Sequence, residues 1–348
     1  MAYTTIDKPS KYFNTNTWTG NGTTQSITGL NFSPDWVWIK KRSGGTARSH
    51  QLYDVIRTAT KYLHSDTTDA EGTFSNGLTA FNSDGFSIGD GDGVNGNTFT
   101  YVGWSWDANG AGVSNTQGSI TSTVSANTTS GFSIVSYTSD GNSGATVGHG
   151  LGVAPKMVIV KRRNSAEDWG VGHTSLGWTN FLRLNTTGAS SSSAGLWNNT
   201  APSSTVVTLG NSGISNNGSG TTMIMYCFAE VKGFSKFGSY TGNGSTDGTF
   251  VYTGFKPAFV LYKVSSTTDS WMIMDNKRDI FNQVINQLEP NVNNAAVDNT
   301  ARAMDFLSNG FKFRSTNTQN NQSGATYIYM AFAENPFVSS TGIPTTAR

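Results

Sequence analysis

Two places in the 348-residue sequence carry side chains whose type and spacing could bind something. The loop Ile88-Gly-Asp-Gly-Asp-Gly-Val-Asn95 is the most acidic, and Asp90, Asp92 and Asn95 in it offer the oxygen ligands that calcium prefers. It lacks the glutamate that would complete an EF-hand loop, and the corresponding loops at 211–220 and 317–324 are uncharged, so a solvated hairpin tip is the competing reading. Calcium is therefore the one cofactor the sequence suggests. Trp178 and Trp197 stand in polar surroundings and would suit stacking on a sugar ring, such as a host cell-surface glycan. Burial at a domain or subunit interface, where tryptophan is enriched, is the expectation set against it.

Other residue types point away from catalysis. The four histidines, His50, His64, His149 and His173, form no i, i+4 pair and have no cysteine or carboxylate cluster at metal-ligand spacing. The many serines allow a Ser-His-Asp arrangement only on paper. Glycosidase chemistry would need two acids facing across a cleft, and the sequence singles out no such pair. No catalytic residue is assigned, and a protein that is not an enzyme is expected.

The elements that must position these residues are organised as a repeat. Copy 1 reads Trp18-Thr-Gly-Asn-Gly-Thr23, Gly29-Leu-Asn-Phe-Ser-Pro34 and Asp35-Trp-Val-Trp-Ile-Lys40. Copy 2 reads Tyr137-Thr-Ser-Asp-Gly-Asn142, Gly150-Leu-Gly-Val-Ala-Pro155 and Lys156-Met-Val-Ile-Val-Lys161. Copy 3 reads Tyr240-Thr-Gly-Asn-Gly-Ser245, Gly254-Phe-Lys-Pro257 and Ala258-Phe-Val-Leu-Tyr-Lys263. Each copy closes on an aromatic strand, Tyr101 to Trp106, Met223 to Phe228 and Tyr327 to Phe332. The single cysteine, Cys227, aligns there with Ser105 and Ala331, which marks a small packed position and not a reactive thiol.

Asn-Gly pairs at 21–22, 243–244 and 309–310 predict tight turns, and the prolines predict strand stops, because proline lacks a ladder donor. Short apolar runs ending in lysine predict strands buried on both faces with one end in solvent. The fold class expected is all-β, three tandem β-sandwich domains of jelly-roll or concanavalin-like kind, with few short helices. Two of those helices are predicted within Tyr53 to Leu63 and Arg278 to Leu288, opened by Asp54 and Asp279. The expected organisation is an N-terminal arm at 1–11, copy 1 at 12–108, a linker at 109–129, copy 2 at 130–231, copy 3 at 232–337 and a C-terminal arm at 338–348. Copies so spaced would be beads on a string, the long first linker leaving copy 1 free to pack separately.

Composition narrows the partners. With 23 basic and 22 acidic residues the net charge is +1, too weak and mixed a field to attract nucleic acid or an anionic membrane. Forty glycines against eight prolines fit a turn-rich β protein whose polar surface comes from Ser, Thr and Asn. One cysteine permits no intrachain disulfide, so packing and association must supply stability. No secretory signal follows Lys8 and Lys11, and no run of about 18 apolar residues appears, so membrane insertion is not expected.

The repeat blocks, with Tyr12-Phe-Asn, Asp84-Gly-Phe86, Gly131-Phe-Ser-Ile-Val-Ser-Tyr137, Asn198-Asn-Thr200, Phe306-Leu-Ser-Asn-Gly-Phe311 and Tyr329-Met-Ala-Phe-Ala-Glu334, resemble a family of repeat-bearing structural proteins of marine tailed phages, the tail-fibre or virion proteins. The resemblance runs from about Tyr12 to Phe337. It implies a virion location, lectin-like sandwiches, contacts with other virion proteins and a homo-oligomer, a trimer being favoured. The expected function is a compact tail-fibre, capsid or baseplate appendage that touches the host surface. A carbohydrate-binding receptor-binding protein is the alternative, and a polysaccharide depolymerase the third reading.

Overall fold

Alternation within short apolar runs decides the architecture. In the computed structural model, which describes residues 4–336, Trp36–Lys41 is a strand buried along its whole length, as are Met157–Arg162 up to its last residue and the second half of Phe255–Val264. Each is the central strand of an antiparallel sheet with one recurring order: opening, closing, central and edge strand. In copy 1 these are Phe13–Thr19, Thr100–Trp106, Trp36–Lys41 and Gln51–Asp54. In copy 2 they are Phe132–Thr138, Thr222–Phe228, Met157–Arg162 and Gly170–His173, and in copy 3 Ser235–Thr241, Thr326–Pro336, Phe255–Val264 and Met272–Asp275. A smaller sheet accompanies each: Gln25–Thr28, Gly85–Ile88 and Leu78–Asn82 in copy 1, Phe250–Tyr252, Gly310–Phe313 and Met304–Leu307 in copy 3, and the pair Thr146–Gly148 and Val206–Thr208 in copy 2. The protein is thus all-β, built from several antiparallel sheets.

Because side chains alternate across a strand, each central strand serves two cores. Val37 and Ile39 face a cluster with Ile27, Leu78 and Phe86 from the small sheet of the same copy. Val158 and Val160, and Val260 and Tyr262, do the same in their copies. The intervening residues, Trp36 and Trp38, Met157 and Ile159, Phe259 and Leu261, belong instead to one cluster to which all three large sheets contribute. At its heart Trp36 stacks on Tyr226 at 4.5 Å and lies 4.5 Å from Trp106, while Phe332 stacks on Phe13 at 5.0 Å and meets Trp106 edge-on at 5.8 Å. Aromatic pairs of this kind add roughly 0.5–1.5 kcal/mol each beyond the area they bury. The beads-on-a-string expectation is corrected accordingly, since the copies share their largest core. Ile6, in the segment expected as an N-terminal arm, is buried in that same core.

Four other expectations change. The segment expected as a linker contains the strands Val113–Asn115 and Ser122–Asn127, which extend the copy 2 sheet to eight strands. Neither of the two short helices predicted at Tyr53 to Leu63 and Arg278 to Leu288 forms. Asp54 spends its carboxylate on the Arg57 amide (2.8 Å) and guanidinium, closing a tight turn, and Thr58 and Thr60 then take φ of 73° and 70°. Asp279 likewise accepts from the Ile285 and Asn286 amides across its loop (2.7 and 2.6 Å). The helices that do occur, α1 Asp92–Asn95, α2 Ala194–Trp197 and α3 Thr318–Asn321, are single turns. Pro257 does not stop its strand but sits at a break in register between Phe255–Val264 and Thr326–Pro336, where a missing donor is tolerated. Finally, Lys40, Lys161 and Lys263 do not end in solvent; all three are buried. The C-terminal arm at 338–348 lies outside the described residues.

The junctions between copies repeat in a cycle. The Trp169 indole of copy 2 donates to the His64 carbonyl of copy 1 (2.8 Å), and the Trp271 indole of copy 3 donates to the Arg183 carbonyl of copy 2 (2.9 Å). The equivalent residue of copy 1, His50, faces the Glu289 backbone of copy 3 without a full hydrogen bond. The edge-strand ends show the same order. Tyr226 of copy 2 donates to Asp54 of copy 1 (2.7 Å), Trp104 of copy 1 donates to Asp275 of copy 3 (3.0 Å), and His173 of copy 2 meets the Tyr329 carbonyl of copy 3 (3.2 Å). Lys40 and Lys161 add ammonium bonds across two of these junctions, to the Asn293 carbonyl (2.9 Å) and the Thr68 carbonyl (3.0 Å). The three large sheets are therefore related by a pseudo-threefold arrangement within one chain.

Candidate functional site

Internal repetition separates scaffold from function: a side chain the fold needs recurs at equivalent positions, and one serving a local task need not. Asn95, Asn216 and Asn321 recur and do one job. Asn95 accepts from the Asn21 amide (3.1 Å) and donates to Asn21 and Gly89 (3.1 and 2.9 Å), while Asn321 accepts from the Asn243 amide (3.0 Å) and donates to Asn243 and Ser315 (2.8 Å each). Asn216 accepts from the Asp140 amide in the same way (3.1 Å). The turns so clamped include Gly22 and Gly244, whose φ of 68° and 65° are the positive values that an Asn-Gly turn requires.

The predicted calcium ligands are thereby dispersed. Asn95 is a buried clamp whose oxygen is already occupied. Asp90 accepts from the Asn76 side chain (2.5 Å), and Asp92 holds two cations, Lys41 at 2.9 Å and Arg48 at 2.5 Å. Burial works to raise Asp92, but the bonds from Arg48 and Lys41 prevail and hold its carboxyl below the usual range. A calcium ion would have to displace that ion-pair pair, and among the described residues no group of three His, Cys, Asp or Glu side chains could hold a metal. The donor set does not fit the ion.

The two tryptophans chosen for sugar stacking or an interface do neither. Trp197 is fully buried and Trp178 nearly so, the rings meeting edge-on at 5.5 Å inside the core private to copy 2. They fill the space above Gly172, where copies 1 and 3 place Tyr53 and Met274; a Cβ at Gly172 would run into both indoles. Cys227 lies in the same core, with its thiol pushed up by burial. The string Gly85-Phe-Ser-Ile-Gly89 has the spacing of a hydrolase nucleophile turn, yet it lies in a strand, where Ser87 accepts from Asn82 (2.9 Å).

A cleft of about 460 Å³ opens in copy 1 against Asn293 of copy 3. Its walls include the rings of Tyr62, His64 and Phe74, with Gln51, Arg48 and Asp92 supplying polar groups. The rings are half-buried, Tyr62 lying 4.8 Å from His64 and edge-on to Phe74 at 6.3 Å. They are held in place by close backbone contact: a Cβ at Gly72 would strike the Tyr62 ring, and one at Gly91 the Phe74 ring. Burial lowers His64 below the ordinary imidazole value, with Asp66 and Asp69 opposing, so its ring is neutral at neutral pH and offers one donor and one acceptor.

Sequence reasoning missed this cleft, although a signal existed. Strand register aligns Tyr62 with Phe181 and Gln287, and His64 with Arg183 and Glu289. Phe74 aligns with Ser193 and Asn299, and Arg48 with Glu167 and Asp269. The lining thus changes chemical type from copy to copy while the lysines and asparagines around it stay constant.

No curated protein matches the chain. A family described as a domain of unknown function, DUF7483, matches residues 8–336 and so spans all three sheets as one unit. The chain belongs to the DUF7483 family.

Proposed function

We propose that the protein is a non-enzymatic structural component of a bacteriophage virion: three β-sandwich copies of jelly-roll kind arranged as one compact tail-fibre, capsid or baseplate appendage, with a surface that contacts the host. The observation that supports it best is the fate of the buried polar groups. Asp54, Asp275, His173, Lys40 and Lys161 are all spent on bonds within or between copies, as a load-resisting scaffold requires. Buried bonds of this kind, once satisfied, lock a unique arrangement. The proposal takes the threefold to lie within one chain, so the aromatic faces are covered without a trimer of chains, and the partners are other virion proteins.

The test is location. Antibody raised against the purified chain should decorate density-gradient-purified phage particles from a lysate of the source, at a fixed place on head, neck or tail. Label confined to the particle-free fraction would count against the reading.

A further inference from the structure

The copy 1 cleft has the make-up of a site, and its side chains change from copy to copy where those of the scaffold do not. Two aromatic rings stand half-exposed and nearly perpendicular, at 74°, so a flat-faced guest can lie on one and abut the other. A forked cation beside a carboxylate, Arg48 on Asp92, presents donors and an acceptor at one edge. Gln51, whose carbonyl oxygen is taken by the Tyr53 hydroxyl, packs its amide nitrogen over Gly93 on the cleft floor. The Asn293 segment of copy 3 closes the far side and is tied down by Lys40.

We propose that this cleft binds a neutral saccharide, one pyranose ring stacking on Tyr62 or Phe74 while its hydroxyls bridge Arg48, Asp92 and His64. A sugar ring has one face of C–H groups and a rim of hydroxyls that both donate and accept. Half-exposed aromatic faces edged by mixed donors and acceptors are its complement. A neutral ligand is favoured over an anionic one because both cations beside the cleft are already engaged by Asp92, Lys41 at 2.9 Å and Arg48 at 2.5 Å, and an anion would have to compete with that carboxylate for them. The volume is at the scale of small-ligand pockets and suits one or two sugar residues. Turnover is not part of the proposal: the only carboxylate in the cleft wall is held ionised by Arg48 and Lys41, whereas glycoside hydrolysis needs a second acid that can carry a proton. The inference rests on the host-contact part of the proposed function and supplies its ligand chemistry.

Saturation-transfer NMR followed by calorimetry on the full chain tests it, with maltopentaose, chitopentaose and mannopentaose as neutral probes and sialyllactose as the charged one. At least one neutral probe should bind. Tyr62→Ala and Phe74→Ala should each weaken it tenfold or more, and Arg48→Ala, at an exposed side chain, several-fold without altering the melting temperature. Phe250→Ala, an exposed aromatic on copy 3, should leave binding unchanged. Absence of binding to every neutral probe, preference for sialyllactose, or an affinity that none of the three cleft variants moves would overturn the proposal. Particles that carry the protein without glycan binding would refute the cleft and leave the virion reading standing; glycan binding by a protein missing from particles would do the reverse.

Discussion

At the end of the edge strand copies 1 and 3 carry an aspartate, and copy 2 carries His173. Asp54 and Asp275 each take the amide and guanidinium of an arginine three residues on, and each arginine reaches back to a strand carbonyl, Leu52 or Ile273. Each aspartate also accepts a donor from the next copy, Tyr226 or Trp104. In copy 2 the neighbouring side chain that should donate is Met330, which cannot. His173 answers by accepting the Ser175 amide on Nδ1 (3.1 Å) and turning Nε2 to the Tyr329 carbonyl (3.2 Å). The same geometric problem is met twice by a buried ion pair and once by a neutral ring. Repetition therefore fixes where a polar group must sit, and its partner's chemistry decides which one.

The largest test of that comparison is removal of a carboxylate. Asp54→Ala leaves the fully buried Arg57 guanidinium with only the more distant Glu71 carboxylate (3.6 Å) and deprives the Tyr226 hydroxyl of its acceptor, and should cost about 3–5 kcal/mol in urea unfolding. His173→Ala deletes only neutral bonds and should cost about 1–3 kcal/mol. Equal losses at the two positions would break the distinction between the charged and neutral junctions.

Next in size is a feature on which the copies do not differ. Lys40, Lys161 and Lys263 are each pushed down to about 8, burial being the main cause. Between that value and the ordinary 10.5 the unfolded chain binds more protons than the folded one, so stability should rise with pH; the gain is complete above 10.5 and lost as pH falls through about 8. From pH 8 to 9 this amounts to about 1 kcal/mol per lysine, before buried tyrosines such as Tyr53 and Tyr137 begin to oppose it above their ordinary 10.0. The urea midpoint should climb across that interval, and Lys161→Met should remove about a third of the slope. A flat profile would show that the three ammonium groups are better solvated than their burial implies.

Much of this was legible in the sequence. The lysine-ended runs announced strands covered on both faces, and the repeat blocks announced that three such strands are equivalent. What covered the second face was not legible, because periodicity reports burial and not the identity of the neighbour; Trp36 looks outward from its own copy and is buried by Phe132, Tyr226 and Phe228 of the next. Asp54 looked like a helix cap because a cap and a tight turn use the same carboxylate-to-amide bond, and only the positive φ of Thr58 and Thr60 separates them. Trp178 and Trp197 were misplaced because their loop neighbours are polar, whereas the space they fill is opened by Gly172 on a strand. The cleft went unread because Tyr62 and Phe74 lie outside the repeat blocks, and their equivalence to Phe181 and Gln287 and to Ser193 and Asn299 is given only by strand register.

Smaller effects sharpen the contrast at acid pH. Burial pushes His173 down to about 4, so its contribution is present above the ordinary 6.5 and lost as pH falls toward 4, about 2 kcal/mol by pH 5. His173→Gln should flatten that loss. The smallest effect has the opposite sign and belongs to copy 1 alone. Asp107, where copies 2 and 3 have Ala229 and Ala333, is pushed up to about 7 by burial and by neighbouring Asp35, whose carboxylate is fixed by the Ala108 and Gly110 amides (2.8 and 3.1 Å). The folded state here binds more protons than the unfolded one between 3.8 and about 7, so this contribution is complete below 3.8 and lost as pH rises through 7. Asp107 is partly solvated, and screening should keep the effect under about 1 kcal/mol. Asp107→Asn should therefore raise stability slightly at pH 8 relative to the parent and leave pH 4 unchanged. A variant that instead loses stability at pH 8 would mean that the Asp107 carboxylate, through its bond from Asn127 (2.7 Å), is worth more ionised than its crowding by Asp35 costs.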